Sequence, residues 1–280
     1  MFDKSGNLDE EQGGSIGQPW PDSKFFSLAS ADLVDDDAVM YNESNFANNQ
    51  TMNDIDTETK TADNIYVSGF IAPDGNHYAR NNSAEMHDFL RLDNLSGSIL
   101  VGFYFLDAAN AGIHTILDTG AIETDAGVLG GGGYAIQYNA TDKALRVYYR
   151  EKGGASATLV AEHDSVGFFD GYYIIQIDTI NSAINILENG VLIDTGSLPA
   201  GESPSLIEDT GLVLFATAST AASGAGYNDP FTANGVMGIR DIYIVRAEFA
   251  IDPAFLLAVT VQHENQVNGI PDMIRHLKPA

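Results

Sequence analysis

Ile184-Asn185-Ile186-Leu187-Glu188-Asn189-Gly190-Val191-Leu192-Ile193-Asp194 is the stretch that decides the fold of this chain. Two runs rich in Ile, Leu and Val flank Asn189-Gly190. An Asn-Gly pair in that setting is the strongest short-range hairpin signal, because both residues tolerate the positive φ of a type I′ turn. Working outward, Ser98-Ile99-Leu100-Val101-Gly102-Phe103-Tyr104-Phe105-Leu106 is apolar on both faces, as expected of a strand buried within a sandwich. Further strands are expected at 134–138, 144–150, 172–178, 183–187 and 212–218, with a long final one at 236–245. In Ala144–Arg150, Leu145, Val147 and Tyr149 share one face while Arg146, Tyr148 and Arg150 share the other, a period of two. Many strands, regular turns and almost no helix predict an all-β, antiparallel β-sandwich.

The two ends read differently. Residues 1–64 hold 14 acids and 3 lysines, a net charge of 3 − 14 = −11, with acidic clusters at Asp9-Glu10-Glu11 and Asp35-Asp36-Asp37. Such a composition buries too little surface to offset its own conformational entropy. An extended acidic arm held by a partner or a neighbouring subunit is therefore expected over 1–64. Its apolar islands, Trp20, Phe25-Phe26 with Leu28, and Val39-Met40-Tyr41, are the candidate anchors, with Trp20, Phe25, Phe26, Leu28 and Tyr41 as the docking residues. The sandwich is expected over 65–250. Residues 251–280 are expected to form a short helical segment, with Asp252 as N-cap and Pro253 at the first helical position.

Charge and composition exclude several functions. The chain has 280 residues, 13 basic and 39 acidic, giving a net charge of −26. Nucleic-acid binding draws its affinity from Lys and Arg on phosphates, so neither nucleic acid nor an anionic membrane surface fits this balance. With no cysteine, a disulfide scaffold, thiol catalysis and thiolate metal sites fall away. No stretch approaches the ~18 consecutive apolar residues of a membrane span. The opening residues carry neither the basic start nor the apolar run of a secretory signal, and folding in a cytoplasm is the expectation.

Residues ~85–262 resemble the laminin G-like branch of the concanavalin A-like jelly rolls. The resemblance is carried, in order, by Phe89-Leu90-Arg91-Leu92 as a strand entering the sheet, then the buried strand at 99–106. Next come Gly171-Tyr172-Tyr173-Ile174-Ile175-Gln176-Ile177-Asp178 as the central strand and Ile184 to Gly190 as the hairpin ending in Asn-Gly. Gly238-Ile239-Arg240-Asp241-Ile242-Tyr243-Ile244 resembles the closing strand, with Asp252-Pro253 after it. The resemblance implies a sandwich that binds glycans or proteins. It also implies calcium at a sandwich rim, for which Asp118, Asp125, Asn228 and Asp229 are loop candidates.

Some members of this superfold cleave polysaccharides, and their chemistry requires recognisable residue patterns. Glycoside hydrolysis needs two carboxylates across the sugar. Asp54-Ile55-Asp56-Thr57-Glu58 lies in the polar arm, and Glu123-Thr124-Asp125 has Gly127 where a third acid should stand. Both read as solvated acids. Gly112-Ile113-His114 keeps the His of a lyase-type strand without its Gln, so His114 reads as a strand residue near a sheet end. Gly130 to Gly133 lacks the Lys-Ser/Thr of a phosphate loop, and the six His lack metal-type spacing. No catalytic residue, cofactor or metal ligand is assigned. An aromatic beside amide and carboxylate groups suits a glycan, and the loop residues Tyr227, Asn228 and Asp229 have that composition.

Together these readings predict a non-enzymatic structural protein of a virus particle, a capsid decoration, fibre or tail-associated subunit. It would be made in a host cytoplasm and released by lysis, with a glycan- or protein-binding sandwich projecting outward. Other virion subunits or further copies of the chain are the expected partners through the arm, as a homo-oligomer, with host-surface glycan as a ligand. The alternatives are a polysaccharide depolymerase or lyase and a free glycan-binding lectin.

Overall fold

The computed structural model describes residues 89–92, 95–106, 112–122, 133–151, 156–164, 171–199, 212–214 and 238–247, together with the strands at 23–28, 38–42, 50–52, 66–67, 70–71 and 79–81. The strands, in chain order, are β1 (Ser23–Leu28), β2 (Ala38–Asn42), β3 (Gln50–Met52), β4 (Tyr66–Val67), β5 (Phe70–Ile71), β6 (Ala79–Asn81), β7 (Ser98–Leu106), β8 (Ile113–Asp118), β9 (Gly133–Asn139), β10 (Ala144–Arg150), β11 (Thr158–Asp164), β12 (Gly171–Asp178), β13 (Ala183–Glu188), β14 (Val191–Ser197), β15 (Leu212–Leu214) and β16 (Gly238–Ala247). They form two antiparallel sheets. The larger runs β14-β13-β12-β7-β16-β1-β2-β3, with β5 and β4 attached through β16; the smaller runs β11-β10-β9-β8-β15-β6. This is the expected all-β sandwich.

The hairpin forms as its sequence dictates. Asn189 and Gly190 take φ of 47° and 79°, and Glu188 faces Val191 across the two-residue turn. The Asn189 side chain also accepts a bond from the Tyr172 amide at 3.0 Å, tying the turn to β12. Alternation then sets the core. Ile175 and Ile177 of β12, with Val101 and Phe103 of β7, face Ile136 and Tyr138 of β9 and Val147 of β10 between the sheets. Full burial of each aliphatic side chain contributes about 1.5–3 kcal/mol. The outward residues Leu100 and Ile174 are also completely buried, which explains why β7 and β12 read as continuous apolar runs rather than alternating ones.

The open side of the sandwich is sealed at its edges. The amide of Glu162 in β11 donates to the Asp194 carboxylate of β14 at 2.9 Å. Beside it Gly196 packs directly on the Val160 carbonyl. Strand ends are closed by side-chain caps. Asp178 Oδ1 accepts the amides of Ile180 and Asn181, both at 3.0 Å, and Asn139 Oδ1 accepts that of Thr141 at 2.9 Å.

Two expectations change. Phe89-Leu90-Arg91-Leu92 is not a strand: its carbonyls at Phe89 and Arg91 accept from the Arg246 guanidinium, at 3.1 and 2.5 Å, instead of a strand neighbour. The segment is nonetheless buried, with Phe89 and Leu90 at 1% and 0% exposure. Nor does position 64 separate an arm from the sandwich within the large sheet. β1 pairs along its whole length with β16, from Ser23 opposite Ala247 to Leu28 opposite Ile242, and β2 pairs with β1 in turn. Phe25, Phe26 and Leu28 thus lie in the body's own sheet, because their short apolar run matches an open strand edge. Trp20 and residues 251–280 lie outside the described residues.

Buried tyrosines define the alkaline limit of this core. Burial drives the Tyr134 phenol far above its usual range. Tyr149 is pushed up to about 12 by burial and then by the negative Glu151. The folded state therefore holds both as neutral phenols, whereas the unfolded chain ionises them near 10. Their contribution is intact below about pH 10 and falls as the pH rises to about 12. Alkaline unfolding followed at the phenolate absorbance should begin in that window, and Tyr149→Phe should move its midpoint upward.

Candidate functional site

The small sheet turns one face to the core and the other outward. On the outer face, antiparallel register brings four polar side chains into one row across four strands. Glu162 of β11 stands opposite Arg146 of β10, Arg146 opposite Gln137 of β9, and Gln137 opposite Thr115 of β8. The row is bonded within itself. Arg146 Nε donates to Glu162 Oε2, and Gln137 Nε2 donates to Thr115 Oγ1 at 2.9 Å. Arg146 Nη2 also reaches Asp142 Oδ2 at 2.9 Å. That same oxygen accepts from Asn139 Nδ2 at 2.7 Å, which fixes the β9–β10 turn. The Glu162 bond, chiefly, raises the Arg146 pKa above its ordinary value, so this guanidinium stays charged.

The next row holds the aromatic. Tyr148 stands between Leu159 of β11 and Ala135 of β9. Among the aromatic side chains whose burial the structure describes, Tyr148 alone reaches the surface; Phe89, Phe103, Tyr134, Tyr138, Tyr149, Tyr172 and Tyr173 are all buried. Exposure climbs across the face. Gln137 and Thr115 form a floor at 7% and 4% exposure, and Leu159 stands at 43% on the outer strand. A buried amide and hydroxyl, an ion pair and a partly buried phenol stand side by side on paired strands. Such a surface can accept and donate hydrogen bonds to hydroxyls while the ring covers an apolar patch of ligand.

The large sheet has a polar row of its own, where Gln176 Oε1 accepts from Asn185 Nδ2 at 2.8 Å and Asn185 Oδ1 accepts from Thr195 at 2.7 Å. Tyr172, the aromatic of that outward face whose burial the structure describes, is 2% exposed.

The residues singled out from the sequence fall in several places. Tyr227, Asn228 and Asp229 lie outside the described residues, as do Asp54 to Glu58, Glu123 and Asp125. Phe25, Phe26 and Leu28 are on β1 and Tyr41 on β2. His114 is on β8, 1% exposed, its ring stacked on Tyr138 at 6.4 Å. Asp118 is a turn cap: its Oδ1 accepts the amides of Gly120 and Ala121, each at 2.8 Å. No group of three or more His, Asp or Glu converges as a metal site among the described residues. Gln137, Thr115 and Glu162 were not singled out from the sequence. The alternation of Arg146, Tyr148 and Arg150 on β10 was its one legible trace.

The geometry defines a two-sheet, antiparallel β-sandwich with a polar and aromatic outer face, a fold shared with toxin receptor-binding domains. The chain is similar to the botulinum neurotoxin serotype D binding domain, with 13% identity over 89% of this chain and 53% of that one and a TM-score of 0.55. The serotype G binding domain gives 11% identity over 86% and 51%, also at 0.55. The serotype D ligand binding domain solved in complex with N-acetylneuraminic acid gives 13% over 88% and 52%, at 0.53. This chain spans about half the length of those domains, and at such identity the likeness is one of fold. No protein-family description matches the chain, and no curated protein does.

Proposed function

We propose that this chain is a non-enzymatic, glycan-binding β-sandwich whose ligand lies on the outer face of the small sheet. The observation that carries the reading is Tyr148, a surface aromatic set in β10 beside the bonded row Glu162–Arg146–Gln137–Thr115. The fold it shares with solved binding domains, one of them holding a sugar acid, supports it. The sequence resemblance carried in order by residues 99–106, 171–178, 184–190 and 238–244 supports placing the sandwich in the laminin G-like branch.

The setting we propose is the surface of a virus particle, as a decoration, fibre or tail-associated subunit. The net charge of −11 over residues 1–64 and the apolar island at Trp20 support a docking role for the N-terminal segment. Cross-linking of the native particle tests this, and a segment that meets no neighbouring subunit overturns it.

For the glycan reading, the test is an array of purified oligosaccharides probed with the full chain and with Tyr148→Ala. Saturable binding is expected, weakened about tenfold or more in the variant with an unchanged melting temperature. Reducing ends should not accumulate when the bound sugar is incubated with the protein. Binding unaffected by loss of the ring removes Tyr148 from the site, and sustained turnover makes the protein a depolymerase.

A further inference from the structure

The charges on this face carry the reading one step further, to the class of sugar. We propose that the face takes a neutral, hydroxyl-rich saccharide and discriminates against acidic ones; this rests on the glycan-binding function proposed above. An acidic sugar needs a cation whose charge is available to it. Arg146 is the cation at the centre of the face, and two carboxylates already hold it, Glu162 at Nε and Asp142 at Nη2. Arg150, the other outward cation of β10, is 7% exposed and has interactions of its own. Asp164 stands at a further outward position, opposite Ala144. A carboxylate or sulfate arriving here would meet three acids, and would have to displace one of them to reach the guanidinium. The net charge of −26 opposes its approach from a distance.

Neutral hydroxyls face none of these obstacles. Each donates one hydrogen and accepts others. Glu162 and Asp142 retain acceptor capacity beside the guanidinium they hold, and Tyr148 offers its ring to the C–H face of a pyranose. The paired charges then act as a fixed array of donors and acceptors rather than as a charge receptor. In this respect the face departs from what a sialic acid site requires.

The experiment uses the full chain and pairs of oligosaccharides that differ only by a terminal sialic acid. Titration calorimetry at low and high ionic strength follows the array. The neutral member should bind about tenfold or more tightly than its sialylated partner. Its affinity should change less than about twofold with salt, since no net charge is neutralised. In the double variant Glu162→Gln, Asp142→Asn, which frees the guanidinium charge, the gap should narrow by about tenfold. Its circular dichroism and melting curve report whether it is folded, and the wild-type comparison stands without it. Preference for the sialylated member, or affinity that falls steeply with salt, overturns this inference and leaves glycan binding intact. Binding of neither member overturns both.

Discussion

Gly196→Ala should destabilise the protein by about 3 kcal/mol or more and open the seam between β11 and β14. A Cβ built on Gly196 falls 1.7 Å from the Val160 carbonyl oxygen and 2.6 Å from its carbon. The obstacle is backbone, so no rotamer change relieves it and the strands must separate. Separation exposes the second consequence. The Glu162 amide bonds to the Asp194 carboxylate across the same seam, so its exchange with solvent hydrogen should accelerate in the variant. Thr195→Ala, one residue away with an exposed side chain, is the control and should cost less than about 1 kcal/mol. Denaturant melts compare the two stabilities, and a Gly196→Ala protein as stable as the control would show that the edges are not in contact.

Asp118→Ala is the second large effect. Asp118 is fully buried, and its Oδ1 receives two amide hydrogens at 2.8 Å as the chain leaves β8. Alanine leaves both donors buried and unpaired, at about 1–3 kcal/mol each, so a loss of about 3 kcal/mol is expected. Asn keeps an acceptor oxygen in place, and Asp118→Asn should lose about half as much. The measurement should be made with added calcium and with a chelator. A turn cap gives the same loss in both. A loss seen only with calcium would mean that Asp118 acts as a ligand and not as the anchor of this turn.

How legible was this molecule in its sequence? The hairpin at Asn189-Gly190 was fully legible, since its φ angles depend on two adjacent residues. The strands β7, β9, β10, β12, β13 and β16 are legible from apolar runs or alternation, β7 and β10 with their observed bounds and the others within two residues. β11 carries no legible strand signal because it is an edge strand: Thr158 and Leu159 are exposed and only Ala161 of the seven is buried, so no apolar run marks it. β1 reads in the sequence as an apolar island suited to a partner, whereas it completes a row beside β16. A six-residue island carries no label saying whether its strand partner is in its own chain.

The sequence by itself determined the fold class, the main turn, the outward stripe on β10 and the net charge of −26. Tertiary structure alone decided the site. Gln137 and Thr115 are 22 residues apart and bonded; Arg146 and Glu162 are 16 apart and paired; Gly196 meets Val160 from the other sheet. Each of these contacts depends on strand order and register, which the packing of the whole core selects. Local pattern fixes which face a side chain shares with its strand, and only long-range pairing fixes what stands beside it.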